Sequence, residues 1–307
     1  MKLVEIASLS ETECREHFEG VRWPGAITCP HCGDPNGYRL GGAAGAKGYM
    51  KCDAKECRKK FTAKVGTVME DSPISYKKWL LAFCLMAGSK KGFSAHQLHR
   101  SLGITYKSAW FMFHRIRFAM VENPDAPLLG GPGGIVEVDE TFIGGKPTTN
   151  YWKDVERPWS TKTPVMVLVD RNGRARSMPK ARVTAENLKG AIRENVDTNT
   201  RIMTDEHRGY VGLDKEFASH ETVNHGIKEY ARGDVHSNTA ESYFALLKRG
   251  VHGTFHHVSK GHLHRYCNEF AWRWTFRKVD DFSRMNITIA NIAGKRLMYR
   301  DSSPAAV

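Results

Sequence analysis

IVEVDETFIGG, residues 135–145, opens a run of short strands and places Asp139 inside the first of them. An inward-facing aspartate in a strand is costly unless it is paired or binds a cation. Two further strands follow in TPVMVLVDRNG (163–173) and RARSMPKARV (174–183), with Asp170, Arg171, Asn172 and Gly173 as the turn between them. A helix opens at the cap Thr184 in TAENLKGAIREN (184–195), and RIMTDEHRGY (201–210) is a strand that ends at Asp205. SHETVNH (219–225) is a short last strand, and helices rich in arginine and aromatics run from about residue 259. Three strands, a helix, two more strands and further helices predict an α/β domain with a mixed sheet.

HSNTAESYFALLKRG (236–250) reads as the start of a helix, with Asn238 as N-cap and Glu241 closing a capping-box-like pair. The same residues set Asn238, Glu241 and Lys248 at offsets of three and seven, close to one helical face. Asp139, Asp205 and Glu241 thus occupy a strand, a strand end and a helix start. Each acid alone is an ordinary turn or solvated residue; as a series they suggest a site.

Upstream, residues 1–24 form a polar helical arm and 25–70 a turn-rich segment with two cysteine pairs, Cys29/Cys32 and Cys52/Cys57. Four thiolates in two knuckles suit tetrahedral Zn²⁺ in a zinc ribbon, and bound metal would supply most of its folding free energy. Cys14, Cys84 and Cys267 are structural thiols by default. Within 71–125, FSAHQLHRSLGITYKSAWFMFHRIRFAM (93–120) has two helical patterns, capped by Ser94 and Thr105 and joined at Gly103. As a helix-turn-helix it presents Tyr106, Lys107 and Ser108 to base edges and packs Ala109, Phe113 and Ile116 inward. A plain helical hairpin is the simpler alternative. Pro and Gly mark 126–134 as a linker, which leaves 135–290 for the α/β domain and 291–307 for a helix end and tail.

The chain carries 46 Lys and Arg against 33 Asp and Glu, a net charge of +13 that favours a polyanionic partner such as nucleic acid. In HRYCNEFAWRWTFRK (264–278), Arg265, Arg273, Arg277 and Lys278 could track a DNA backbone, while Trp272, Trp274 and Phe276 read as core. His207, His236, His252, His256 and His257 lack paired ligand spacing and are assigned no role, although His207 and His236 are expected to lie near the acids. No export signal opens the chain and no apolar run is long enough to span a bilayer, so a reducing, cytoplasmic setting is expected.

Several long motifs in one order resemble the DDE transposases of bacterial insertion sequences, most closely the ISXO2-like group. They run from CPHCG (29–33) through GTVMEDSPISYKKW (66–79), SAHQLHRSLGITYKSAWFMFHRIR (94–117), VEVDETFIGG (136–145) and MTDEHRGY (203–210) to HSNTAESYFALLKRGVHGTFHHVSKGHLHRY (236–266). The four-residue gap between Cys52 and Cys57 is a departure. The resemblance implies a ribonuclease H-like catalytic domain behind a zinc ribbon and a helix-turn-helix. It implies that Asp139, Asp205 and the Asn238/Glu241 pair hold two Mg²⁺ ions, with Mn²⁺ as a substitute. A carboxylate neutralises Mg²⁺ better than an amide does, so Glu241 is the preferred ligand and Asn238 a cap or outer contact. Lys248 and Arg249 would contact DNA. The implied reaction is cleavage at terminal inverted repeats followed by 3′-OH strand transfer into target DNA. It would be carried out by a homodimer or higher oligomer on the bacterial nucleoid. The rival readings are a non-catalytic DNA-binding protein derived from a transposase, and a ribonuclease H-like nuclease.

Overall fold

Residues 2–144 and 162–299 are described by a computed structural model, in which the chain divides into two units, Met1–Met120 with Val279–Ser302, and Val121–Lys278. Of the expectations above, the end of the first strand stretch at Gly145 and the tail from residue 300 lie outside the described residues.

In the first unit the expected arm is a packed helix pair, α1 (Leu3–Ser8) and α2 (Glu11–Arg22). Ser10 and Glu13 form a reciprocal capping box at the start of α2. Cys14 and Phe18 are fully buried, so this helix belongs to the core and not to a solvated arm. The ribbon consists of β1 (Gly37–Arg39), α3 (Gly42–Ala46), β2 (Met50–Cys52) and β3 (Lys60–Phe61), antiparallel in the order β1-β2-β3. Its buried core is Cys29, Met50, Cys52 and Phe61. So few apolar side chains leave the segment dependent on a cross-link or a metal.

Three helices follow, α4 (Tyr76–Gly88), α5 (Ala95–Leu102) and α6 (Tyr106–Ala119). The Ser94 hydroxyl accepts the Gln97 N–H and the Thr105 hydroxyl accepts the Ser108 N–H, the caps read from the sequence. Gly103 ends α5 at φ 57° and ψ 46°, a left-handed conformation that an L side chain resists. Ala109, Phe113 and Ile116 are buried on the inner face of α6.

The second unit starts earlier than expected. Residues 126–134 are not a free linker: Leu129 is fully buried and bridges to Val196, Gly130 N–H donates to Asp170, and Gly131 N–H donates to Thr200. Backbone donors placed against a sheet need such partners, and here the glycines allow the close approach. The sheet contains β4 (Ile135–Ile143), β5 (Thr163–Asp170) and β6 (Ala175–Pro179), followed by α7 (Ala185–Asn195), β7 (Arg201–Thr204) and β8 (Ser219–Thr222). Its order is β6-β5-β4-β7-β8, antiparallel across the first three strands and parallel across the last three. A two-residue-arm hairpin, β9 (Ala231–Arg232) and β10 (Val235–His236), leads into α8 (Asn238–Gly250) and then α9 (Leu263–Thr275).

Strand alternation sorts the two faces. Val136, Val138, Leu168 and Ile202 pack on Leu188 and Ile192 of α7. Val165, Val167 and Val169 pack on Ala240, Tyr243 and Leu247 of α8 and Phe270 of α9. All eight residues of β5 are buried, as the centre of a three-layer α/β/α unit requires. The last helix, α10 (Asp281–Ala290), packs on α2 and α4 of the first unit, with His17 Nε2 2.8 Å from Asn286 Oδ1. The α/β unit therefore closes at Lys278 and not at residue 290. No helix among the described residues is long and apolar enough to cross a membrane.

Candidate active site

Asp139 lies opposite Val167, which directs it to the face covered by α8 and α9. In the parallel pairing of β4 with β7, Glu137 stands opposite Met203. Asp205 follows directly on the end of β7, and its charge reaches Asp139. Glu241 comes from the first turns of α8 and is exposed, as are Asn238 and Lys248 on the same side of the helix.

Asp139 Oδ1 accepts the Glu140 N–H at 2.7 Å. Burial pushes the Asp139 carboxyl up to about 7, the Glu140 N–H opposes this, and the charges of Asp205, Glu140 and Glu241 raise it further. Among the described residues, three like charges act on this half-buried carboxyl, and its hard oxygen donors fit a divalent cation such as Mg²⁺. The acids are electrostatically coupled but not tightly gathered. Among the described residues, the four ribbon cysteines alone bring three or more ligand atoms within 4.8 Å of one another.

The helix start differs from the sequence expectation. Ser237 is the N-cap residue and makes no side-chain cap bond, while Asn238 is already the first helical residue. No capping box links Asn238 to Glu241; the Glu241 N–H donates to the Ser237 carbonyl in the ordinary helical way. The cap comes from Glu137 on β4. Its Oε2 accepts the N–H groups of Thr239 at 2.7 Å and Ala240 at 3.1 Å, and its Oε1 accepts the Thr239 hydroxyl at 2.7 Å. Glu241 is thereby left free of capping.

Sequence reasoning missed Glu137 and its partner Arg171; His236, expected near the acids, lies 3.2 Å from Glu137 Oε1. The signal available was a second acid at an inward strand position, two residues before Asp139. Glu140, on the opposite face of β4, was also missed: the Tyr210 hydroxyl donates to its carboxylate, and His207 Nδ1 lies 4.0 Å away. Burial raises the Glu140 carboxyl, the Tyr210 bond lowers it, and Asp205 raises it again.

The expected DNA contacts separate by burial. Tyr106 is exposed and stacked on His96 at 4.3 Å, and Lys107 Nζ lies 4.7 Å over the Tyr299 ring. Ser108 is half-buried and engaged with the Thr105 cap. Arg249 is exposed, its Nε donating to the Ala245 carbonyl, and Arg265 is half-buried. Arg277 rests on Trp274 at 4.3 Å and donates to the Gly173 carbonyl. Arg273 is a correction: it is 3% exposed and its Nε and Nη2 both reach Glu269 Oε1 one turn earlier. Two charges compensating each other in the core cannot serve a DNA backbone. Trp272 and Trp274 are core residues, as their sequence context suggested.

All seven cysteines of the chain are free of disulfides, and in the ribbon the four sulfurs of Cys29, Cys32, Cys52 and Cys57 converge. Cys29 Sγ is 3.9 Å from Cys57 Sγ, and Cys32 Sγ is 3.5 Å from Cys52 Sγ. Zn–S bonds of about 2.3 Å in a tetrahedron separate sulfurs by about 3.8 Å, so the tetrad fits Zn²⁺ despite its wider second knuckle.

The transposase zinc-ribbon domain family matches residues 9–60, and the ISXO2-like transposase domain family matches residues 131–275. A relative described as an uncharacterized protein in transposable element ISH50 of Halobacterium salinarum is 30% identical over 285 residues, 88% of this chain and 93% of its own length. Among solved structures, a chain of the simian T-cell lymphotropic virus intasome in complex with the PP2A regulatory subunit B56 gamma shows 18% identity. That match covers 59% of this chain and 68% of the other at a TM-score of 0.30, too low to carry an argument.

Proposed function

We propose that this chain, which belongs to the ISXO2-like transposases, cuts DNA at the ends of its element and joins the freed 3′-OH to target DNA. The observation that supports the site is that Asp139 sits on the sheet face covered by α8, with Asp205 at the end of β7 and Glu241 on α8 close enough for their charges to act on it. Asp139, Asp205 and Glu241 would hold two Mg²⁺ ions, with Mn²⁺ as a substitute and Asn238 as an outer contact. When bound there, divalent cations would supply activation of an attacking oxygen and charge neutralisation for the leaving one. The chain's own part would be to draw three carboxylates together beside the middle of the sheet, give up the Asp139 proton on ion binding, and hold the phosphodiester. Lys248, exposed on the same side of α8 as Glu241, would contact a phosphate or terminal base, with Arg249 beside it.

The sheet order, with three antiparallel strands followed by two parallel additions and helices on both faces, supports a ribonuclease H-like assignment. The two capped helices around Gly103 support a helix-turn-helix whose second member offers Tyr106, Lys107 and Ser108 to DNA. Zn²⁺ in the cysteine tetrad would rigidify the ribbon beside it. A two-ended reaction makes a homodimer or larger assembly on DNA the working form, acting on chromosomal DNA in the cytoplasm. The test is nicking and joining of terminal-repeat DNA by the purified protein with Mg²⁺. Asp139→Asn and Asp205→Asn should each abolish both, and full activity in either variant would overturn the assignment.

A further inference from the structure

The first four N–H groups of a helix have no partner inside it, and Ser237 supplies none for α8. Glu137 takes two of them from across the sheet, with its charge at the positive end of the helix dipole. This carboxylate is fully buried, so its charge needs compensation. Arg171 Nε lies 2.7 Å from Oε1, and His236 Nδ1 lies 3.2 Å from the same oxygen. Arg171 also grips the chain that leads into α8, donating from Nη1 to the Asp234 carbonyl at 2.8 Å and from Nη2 to the His236 carbonyl at 3.3 Å. Its own N–H donates to the Ile135 carbonyl on β4.

We propose that Glu137, clamped by Arg171, is a positioning residue that registers Glu241 on α8 against Asp139 on β4. The inference rests on the metal-ion reading above. Asp139 is two residues along the strand from Glu137, on the same face, and Glu241 is two residues along the helix from Thr239. The latch therefore sits two residues from each ligand, where it governs how the helix start registers on the strand. Stability alone does not account for it, since a buried ion pair is often no more stabilising than apolar residues of the same volume. Such a pair does define one register between two elements, which a metal site assembled from a strand and a helix requires.

The experiment uses the full, zinc-loaded chain, Mn²⁺ as the probe, and two variants, Glu137→Gln and Glu137→Asp. The first removes the charge and the second shortens the reach. Amide exchange over 238–241 should quicken about tenfold or more, while 244–250 in the same helix stays protected. Mn²⁺ affinity, measured by direct titration, should fall ~10–100-fold, and nicking should recover to within a few-fold at saturating Mn²⁺. Unchanged exchange and affinity in either folded variant would overturn the proposal. So would a uniform loss of protection across 121–278 in both, because that assigns Glu137 to stability only. Asp139→Asn run in parallel keeps the two ideas apart: if that variant still nicks DNA, the metal-ion reading fails while the exchange result still decides the latch.

Discussion

Replacing Asp139 with Asn should abolish DNA cleavage and, above neutral pH, make the metal-free protein more stable. The Asp139 carboxyl moves from an ordinary 3.8 to about 7 on folding. At ~1.36 kcal/mol per unit, a shift of about 3 units corresponds to roughly 4 kcal/mol of differential cost for the ionised form. Solvent reaching the half-buried carboxyl reduces this, so about 2–3 kcal/mol is expected at pH 8. The sign follows from proton linkage. Between about pH 4 and pH 7 the folded state holds a proton that the unfolded chain has released, so wild-type stability falls as pH rises through that window and is level above it. Asn cannot ionise, yet its side-chain carbonyl can still accept the Glu140 N–H. The variant should therefore match wild type near pH 4 and exceed it at pH 8. For a unit of this size, about 2–4 °C per kcal/mol places the gain at roughly 4–12 °C. Differential scanning calorimetry of the zinc-loaded chain without added Mg²⁺, at pH 4.5 and pH 8, reads it directly. Added Mg²⁺ should raise the midpoint of wild type and not of the variant. A variant no more stable than wild type at pH 8, or a gain equal at both pH values, would refute the reasoning about a crowded, desolvated carboxyl.

Three further outcomes are expected. Cys52→Ser, or removal of zinc by a chelator, should unfold the ribbon, seen as lost amide protection over 27–61, while the sheet of the α/β unit keeps its protection because its core owes nothing to the metal. Lys248→Ala should weaken binding of terminal-repeat DNA and lower the slope of log affinity against log salt by about 1, and an unchanged slope would remove Lys248 from the phosphate contacts. Arg273→Ala should cost about 3–5 kcal/mol of stability by leaving Glu269 buried without its guanidinium. Any loss of DNA binding in that variant should track the unfolded fraction, and a salt-dependent loss in fully folded protein would return Arg273 to the DNA surface.

The sequence by itself determined what depends on neighbours in the chain. The strand stretches at 135, 163, 174 and 201 were legible from their apolar runs and turn residues, because a strand's pattern is carried by its own few side chains. The caps Ser94, Thr105 and Thr184 bond N–H groups three residues ahead, so type and spacing suffice to find them. Paired cysteines likewise announce a tetrad, since each knuckle is a local turn. The acids Asp139, Asp205 and Glu241 could be nominated for the same site, but their shared electrostatics belong to the sheet. Parallel pairing of β4 with β7 brings the strand that carries Asp139 against the strand that leads into Asp205, and no local pattern encodes which strands become neighbours. The cap of α8 shows the limit most clearly. Asn238 was the better candidate on propensity, yet Glu137, about a hundred residues earlier, satisfies the helix because the fold buries its charge against that end. The burial of Arg273 and the return of α10 to the first unit were decided in the same way. A side chain's partner is a property of the packed interior, and only the tertiary structure brings together charges that are distant along the chain.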